Sequence, residues 1–339
     1  MTLVSARVKI HYVLFIHHKI NNHLDQINMK IQWFPGHMHK ASNEIREKLP
    51  DMDLLIEVID ARIPGSSENP MIEAIRKGKP TIKIFNKSDL SDPALTEKWQ
   101  AYYERDKGVK TLCVTRDQPE KIKQLPSLCR KMISISDARA KEIQAMIVGI
   151  PNVGKSTIIN ILKDRTVAKT GNEAAVTRQQ QRIKIADDVV LFDTPGLLWG
   201  NINNKHSGYR LAITGAIKDT AFDSDDAAFY LAEYLIKNYP ELITSRYELK
   251  NVPETELEFI ETIGHQRGCL RAGGQIELDK ACKILINEYR LGMLGKITLE
   301  NPNHFEHEVI KAQEESELKE QKRQATKADR KKRWKKNRK

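Results

Sequence analysis

The octapeptide Gly149-Ile150-Pro151-Asn152-Val153-Gly154-Lys155-Ser156 constrains this chain more than any other feature. It has the spacing GxxxxGK[ST]. The apolar run Ala145-Met146-Ile147-Val148 leads into it, and a helix-compatible stretch, 157–162, leads out. Glycines at these positions let backbone N–H groups curl around phosphate oxygens, and the helix N-terminus adds a favourable dipole. Lys155 then places its charge at the β- and γ-phosphates, and Ser156 offers a hydroxyl to Mg²⁺. Pro151, Asn152, Val153, Gly154 and Thr157 complete the predicted cradle. Such a loop needs a buried strand before it, which points to an α/β fold.

The rest of the pattern agrees. Short apolar runs at 54–59, 81–85, 109–115 and 145–149 read as strands buried on both faces. The runs 182–186 and 189–192 are separated by Asp187-Asp188 and read as a hairpin. A polar helix-like stretch reaches Gly78, Pro93 suits the first turn of a helix over 93–106, and 118–141 is expected to be helical. Alternating β and α segments predict a mainly parallel sheet between helices. After Trp199 the strands stop. Helices are predicted over 225–237 with Ser224 as cap, over 254–264, and over 278–291 with Gly292 as stop. The expected fold is an α/β P-loop domain plus a small all-helical C-terminal domain, and the sequence holds no internal repeat.

The phosphate loop alone does not choose a base. Asn86-Lys87-Ser88-Asp89 closes the 81–85 strand and has the form NKxD. A buried Asp89 carboxylate accepts from guanine N1–H and the exocyclic amine, and adenine lacks that donor pair. Lys87 is placed to lie over the base, Asn86 to tie this loop to the phosphate cradle, and Val114-Thr115 to support guanine from the far side. Asp193-Thr194-Pro195-Gly196 follows the 189–192 strand: Asp193 is expected to hold Mg²⁺ through water, and the Gly196 amide to sense the γ-phosphate. Thr177 is the natural second Mg²⁺ ligand. Together these make GTP and GDP the expected ligands.

In Ras-like GTPases the phosphate loop comes first and NKxD near the end. Here NKxD comes first, so the motif order is circularly permuted, and the chain leaves the 193–196 switch directly into the helical domain.

Charge narrows the partners. Of a net +11, residues 320–339 supply +9, from eleven Lys/Arg against two acids. Within that segment the run 330–336 holds like charges that repel one another, so alone it is expected to be disordered or a frayed helix; a polyanion such as RNA relieves the repulsion, and a solvated, solubilising tail is the alternative. No apolar run reaches the roughly 18–20 residues of a membrane helix. The four cysteines form no CxxC pair, which argues against a zinc ribbon or disulfide scaffold. Residues 1–28 read as an upstream extension with Met29 as the true start; a weak mitochondrial presequence is the alternative, with a matrix rather than cytoplasmic location.

Several motifs in one order closely resemble the YlqF/RbgA family of circularly permuted GTPases, from about Met29 to Glu300. They include Trp33-Phe34-Pro35-Gly36-His37-Met38, Asp60-Ala61-Arg62-Ile63-Pro64, the 149–157 loop, residues 193–199, Thr214-Gly215-Ala216-Ile217-Lys218 and Arg267-Gly268-Cys269-Leu270. The resemblance implies an assembly factor for the large (50S) ribosomal subunit that touches rRNA through its helical domain; the chain is expected to be a monomer. A permuted GTPase of the small subunit or another RNA, and an RNA-binding protein with a weak switch, are the alternatives. The expected layout is a GTPase domain over 29–205, a helical domain over 206–300 and a basic tail over 301–339.

Catalysis is less direct. Many GTPases carry Gln after DxxG to orient water, but Leu197 stands there, and an aliphatic side chain cannot do so. The family likeness supports His37 in that role, beside Lys155 and Thr177. Asn152 resembles the asparagine of potassium-activated GTPases, where K⁺ supplements the charge of Lys155.

Overall fold

The structure, a computed structural model, describes residues 36–76, 78–133, 142–163, 181–200, 202–271 and 273–336. Six strands form one sheet: β1 (Leu54–Asp60), β2 (Thr81–Asn86), β3 (Val109–Cys113), β4 (Ile143–Gly149), β5 (Gln181–Ala186) and β6 (Val189–Asp193). Their order is β3-β2-β1-β4-β6-β5. All neighbours are parallel except the β5–β6 hairpin, which turns at Asp187-Asp188. Every residue of β1 and β2 is buried, as expected of central strands covered on both faces. Because β1, β2, β3, β4 and β6 run the same way, their carboxyl ends share one edge of the sheet. The loops leaving that edge are where an open α/β sheet places its ligand.

Both central strands carry a charge inside the core. Glu57 and Lys83 lie opposite each other in the β1–β2 register, and Lys83 Nζ donates to Glu57 at 2.7 Å and to Glu68 at 2.5 Å. Lys83 also sits 4.5 Å from the Tyr103 ring centroid. Two carboxylates and an aromatic face around one buried ammonium supply what desolvation removes.

Several helices differ from the sequence pattern for local reasons. The stretch up to Gly78 forms two short helices, Pro64–Ser67 and Pro70–Arg76. The 118–141 expectation becomes Pro119–Ile122 and Leu125–Met132, because Pro126 has no N–H to continue the ladder; 134–141 lie outside the described residues. Asp223, not Ser224, caps the Ser224–Asn238 helix, its Oδ1 accepting from the Asp225 and Asp226 amides at 2.9 and 3.4 Å. A short helix, Pro240–Arg246, follows it, and the helix expected from Glu254 begins at Glu256, where Thr255 Oγ1 accepts from the Glu258 amide. Leu278–Arg290 ends with Gly292 at φ +73°, a backbone that favours glycine. The segment read as disordered or frayed continues a helix, Pro302–Lys336.

Buried charges bind the helical part to the sheet. Ser66 donates from its amide and hydroxyl to Glu300, which is fully buried, and Arg210 donates to both Glu300 and Glu308. Arg290 donates to the last carbonyls of the Lys205–Ile213 helix, Ile213 O at 2.8 Å and Ala212 O at 2.9 Å. The first turns of Pro302–Lys336 pack on the sheet side: Phe305 lies edge-on to Trp99, and Gly65 has no Cβ because Phe305 and Trp99 occupy its place.

Candidate nucleotide site

Five strand ends meet at the shared edge. β4 delivers the phosphate loop, β6 delivers Asp193, β2 delivers Asn86, β3 delivers Val114-Thr115, and β1 delivers Asp60.

The phosphate loop leaves β4 at Gly149, φ +154°, where an added Cβ would meet the Val58 carbonyl oxygen at 2.5 Å. It turns through Asn152, φ +57°, and Gly154, φ +101°, into the Lys155–Leu162 helix. The left-handed turn at Gly154 aims the helix N-terminus into the loop. Lys155 is buried, and its Nζ donates to Gly149 O at 3.0 Å and Ile150 O at 3.3 Å. Burial lowers its pKa to about 8, partly offset by Asp193. Ser156 and Thr157 begin that helix and are half-exposed; Pro151 and Val153 are buried.

Asp193 is 1% exposed, and neither carboxylate oxygen has a hydrogen-bond partner among the described residues. Burial raises its pKa to about 6, against the pull of Lys155. An unpartnered buried carboxylate beside a phosphate loop is the chemistry a hydrated Mg²⁺ satisfies, so the donor set fits that ion. Gly196 packs against the loop: a Cβ there would meet Pro151 Cα at 2.9 Å. The Leu197 amide donates to Gly149 O at 3.2 Å, fixing the segment after Asp193 on the cradle. Leu197 and Leu198 are both buried and carry no water-orienting group.

Asn86 donates from Nδ2 to Val153 O at 2.7 Å, which joins the base loop to the phosphate loop. Ser88 donates from its amide and hydroxyl to Val114 O, at 3.2 and 3.0 Å, and the Val114 amide donates to Phe85 O. Val114 and Thr115 are buried behind the loop. Asp89 differs from the sequence-based picture, because its residue is exposed rather than buried. A purine seated there would itself have to cover the carboxylate for Asp89 to select the base.

Sequence reasoning gave Asp60 no chemical part. It is buried at the end of β1, accepts from the Arg62 guanidinium at 2.9 and 2.8 Å, and accepts from Lys87 Nζ at 2.9 Å. Arg62 and Lys87 hold its carboxyl well below the usual range despite burial. Lys87, at φ +60°, is thus positioned by a carboxylate one strand away.

A family model described as "50S ribosome-binding GTPase" matches residues 144–237. It begins at β4, so it takes in the phosphate loop and Asp193 while Asn86–Asp89 lie upstream of it. "Ribosome biogenesis GTPase A" of Bacillus cereus is 42% identical over 288 residues, 83% of this chain and 97% of that protein. Its counterpart in Priestia megaterium is 43% identical, covering 82% and 99%. The chain belongs to this family. A crystal structure of GNP-bound YlqF from T. maritima superimposes with a TM-score of 0.55 at 25% identity, covering 78% of this chain and 98% of that one.

Two of the expected site residues are not placed by the geometry. Thr177 lies outside the described residues. His37 falls in the first turn of the Gly36–Lys48 helix, with its side chain outside them. That helix buries Met38, Ala41 and Ile45 along one face, and Lys48 lies 5.9 Å from the ring of Phe192, the residue before Asp193. Asn152 turns its Nδ2 to Gly215 O at 2.8 Å, a contact from the phosphate loop to the Thr214-Gly215-Ala216 turn after the Lys205–Ile213 helix. Neither motif's spacing announced that contact.

Proposed function

We propose that this chain hydrolyses GTP to GDP and phosphate, and that the nucleotide state governs its engagement with a precursor of the large ribosomal subunit. The observation that carries the reading is the Asn86–Val153 hydrogen bond, which puts the guanine-reading loop beside the phosphate cradle despite the permuted order. Asn86, Lys87, Ser88 and Asp89, backed by Val114 and Thr115, take the base. Residues 151–157 take the phosphates, with Lys155 against the β- and γ-oxygens. Ser156, Asp193 and Thr177 hold Mg²⁺, which neutralises charge between the β- and γ-phosphates when bound. Asn152 holds K⁺, and His37 orients the attacking water.

The large subunit is supported by the matching family description, and a part in ribosome biogenesis by the relatives' names. Switch residues Gly196 and Leu197 touch the cradle, and the chain runs from them into the helical part, so γ-phosphate contacts bias how that part is held. The protein acts as a monomer in the cytoplasm, binding rRNA in the GTP state and leaving on hydrolysis. No helix among the described residues is long and apolar enough to cross a membrane.

The test is sedimentation with 50S and 30S particles in a non-hydrolysable GTP analogue, paired with turnover measured alone and with each particle. Co-sedimentation and stimulated turnover with 50S alone support the reading. Selective 30S binding, or equal affinity for GTP and ATP, overturns it. His37→Ala should keep nucleotide affinity and lose stimulated turnover.

A further inference from the structure

The Pro302–Lys336 helix is tied to the body at Glu308, which accepts from Arg210 of the Lys205–Ile213 helix. From 309 onward no described side chain is buried. At 1.5 Å per residue, 309–336 extends about 42 Å. Val309, Ile310 and Leu318 are exposed on its first half; past Leu318 the helix is polar apart from Ala325, Ala328 and Trp334, and no apolar stripe is there to hold it by packing. Its charge is segregated along the axis. Residues 306–320 carry six glutamates against Lys311 and Lys319, whereas 322–336 carry nine Lys/Arg against Asp329. Arg323, Lys327, Arg330 and Trp334 fall at i, i+4, i+7 and i+11, one stripe of the helix, and all four are exposed.

We propose that the distal part of this helix is an RNA-gripping arm: Arg323, Lys327 and Arg330 take successive phosphates, and Trp334 stacks on an unpaired base. Three cations on one stripe ending in an indole match a strand that offers phosphates and a splayed base together. A lipid surface is the poorer fit. Ala325, Ala328 and Trp334 are the apolar residues of 320–336, too few for a face to sink into a bilayer interface. The glutamates nearer the body repel the same polyanion and leave the arm's end as the attractive site. The grip stands on its own residues; only the ribosomal source of the RNA rests on the proposed function.

The experiment uses the full chain, with the variants R323E/K327E/R330E and W334A. A labelled 20-nucleotide stem-loop RNA is titrated without nucleotide from 50 to 300 mM KCl. The wild type should bind with a steep salt dependence. The triple variant should bind at least tenfold more weakly, with a salt slope shallower by about 2. W334A should lose roughly tenfold in affinity with its slope unchanged. Wild-type tryptophan emission should be quenched by RNA, and that quenching should be absent in W334A. GTP turnover without ribosomes should match in all variants, since the stripe lies far along the arm. Equal RNA affinity and slope in the triple variant would overturn the arm, and so would tighter binding to phosphatidylserine vesicles than to RNA. Absent turnover in every protein, with RNA binding intact, would instead remove the GTPase reading and leave the arm standing.

Discussion

Asn86 and Val153 are 67 positions apart in the chain and 2.7 Å apart in space, amide nitrogen to carbonyl oxygen. Gly154 accommodates this, because a Cβ there would collide with the Asn86 side chain. The bond holds the 86–89 loop and the phosphate loop at one spacing. Asn86→Ala removes it at a cost of about 1 kcal/mol. GDP dissociation, followed with a fluorescent analogue, should accelerate about fivefold to tenfold, with only slight loss in urea stability. Dissociation at the wild-type rate would mean that the two loops hold their spacing without this bond.

Asp60 makes a stronger claim. It faces two cations, Arg62 at 2.8 Å and Lys87 at 2.9 Å, and Arg62 is 2% exposed. Asp60→Asn leaves a buried guanidinium without its opposing charge, which costs about 3–5 kcal/mol. The pH dependence follows from the direction of the shift. The carboxyl is depressed in the folded state, so its contribution is complete above the ordinary carboxylate pKa of about 4 and is lost as pH falls below it. Urea unfolding should therefore show the variant's deficit in full at pH 7 and a smaller one at pH 3. A deficit that stays constant with pH would show that packing, not charge, is responsible.

How far the sequence carried this picture depends on the range of each interaction. Strand runs, the 187–188 hairpin turn and the phosphate loop were readable because periodicity and spacing are local. Asn86 was readable too, because its motif has a fixed geometric meaning beside a phosphate loop. Asp60 and Arg62 entered only as part of the family-like run 60–64, with no chemical part, since their partner Lys87 is brought close only by β1–β2 pairing. Glu57 and Lys83 are single charges in two apolar runs, and only register shows that they face each other. The cap at Asp223 was missed by one position because both Asp223 and Ser224 have capping side chains, and Ser224 Oγ instead faces Asp279 at 3.4 Å. The exposure of Asp89 was not legible, because burial beside a ligand is a property of the complex rather than of the chain.

Lys155 and Asp193 titrate toward each other, and nucleotide binding should report both. Burial lowers Lys155 to about 8, so its charge is lost from the ligand-free protein as pH rises through that value. Burial raises Asp193 to about 6, so its carboxylate is lost as pH falls through that value. Triphosphate affinity should therefore decline above about pH 8, and Mg²⁺ should strengthen it less below about pH 6. Titrations of a fluorescent GTP analogue from pH 5 to 9.5, with Mg²⁺ and with EDTA, check both limbs. A Mg²⁺ effect that is flat down to pH 5 would remove Asp193 from the metal site.

Asn152 tests how the site speaks to the helical part. Its Nδ2 donates to Gly215 O, and Gly215 lies against Arg290, whose guanidinium holds the Lys205–Ile213 helix end. Its backbone at φ +57° suits Asn, Asp and Gly, which makes two informative variants available. Asn152→Asp keeps an oxygen for K⁺ but replaces the donor with a charge that repels the Gly215 carbonyl. Asn152→Gly removes both groups. If the amide's main work is the contact with Gly215, both variants should lose hydrogen-exchange protection over 214–218, and the Asp variant should retain faster turnover in K⁺ than in Na⁺. If protection at 214–218 is unchanged in both, the phosphate loop does not act on the helical part through this bond, and the route from nucleotide to partner runs through Gly196 and Leu197 alone.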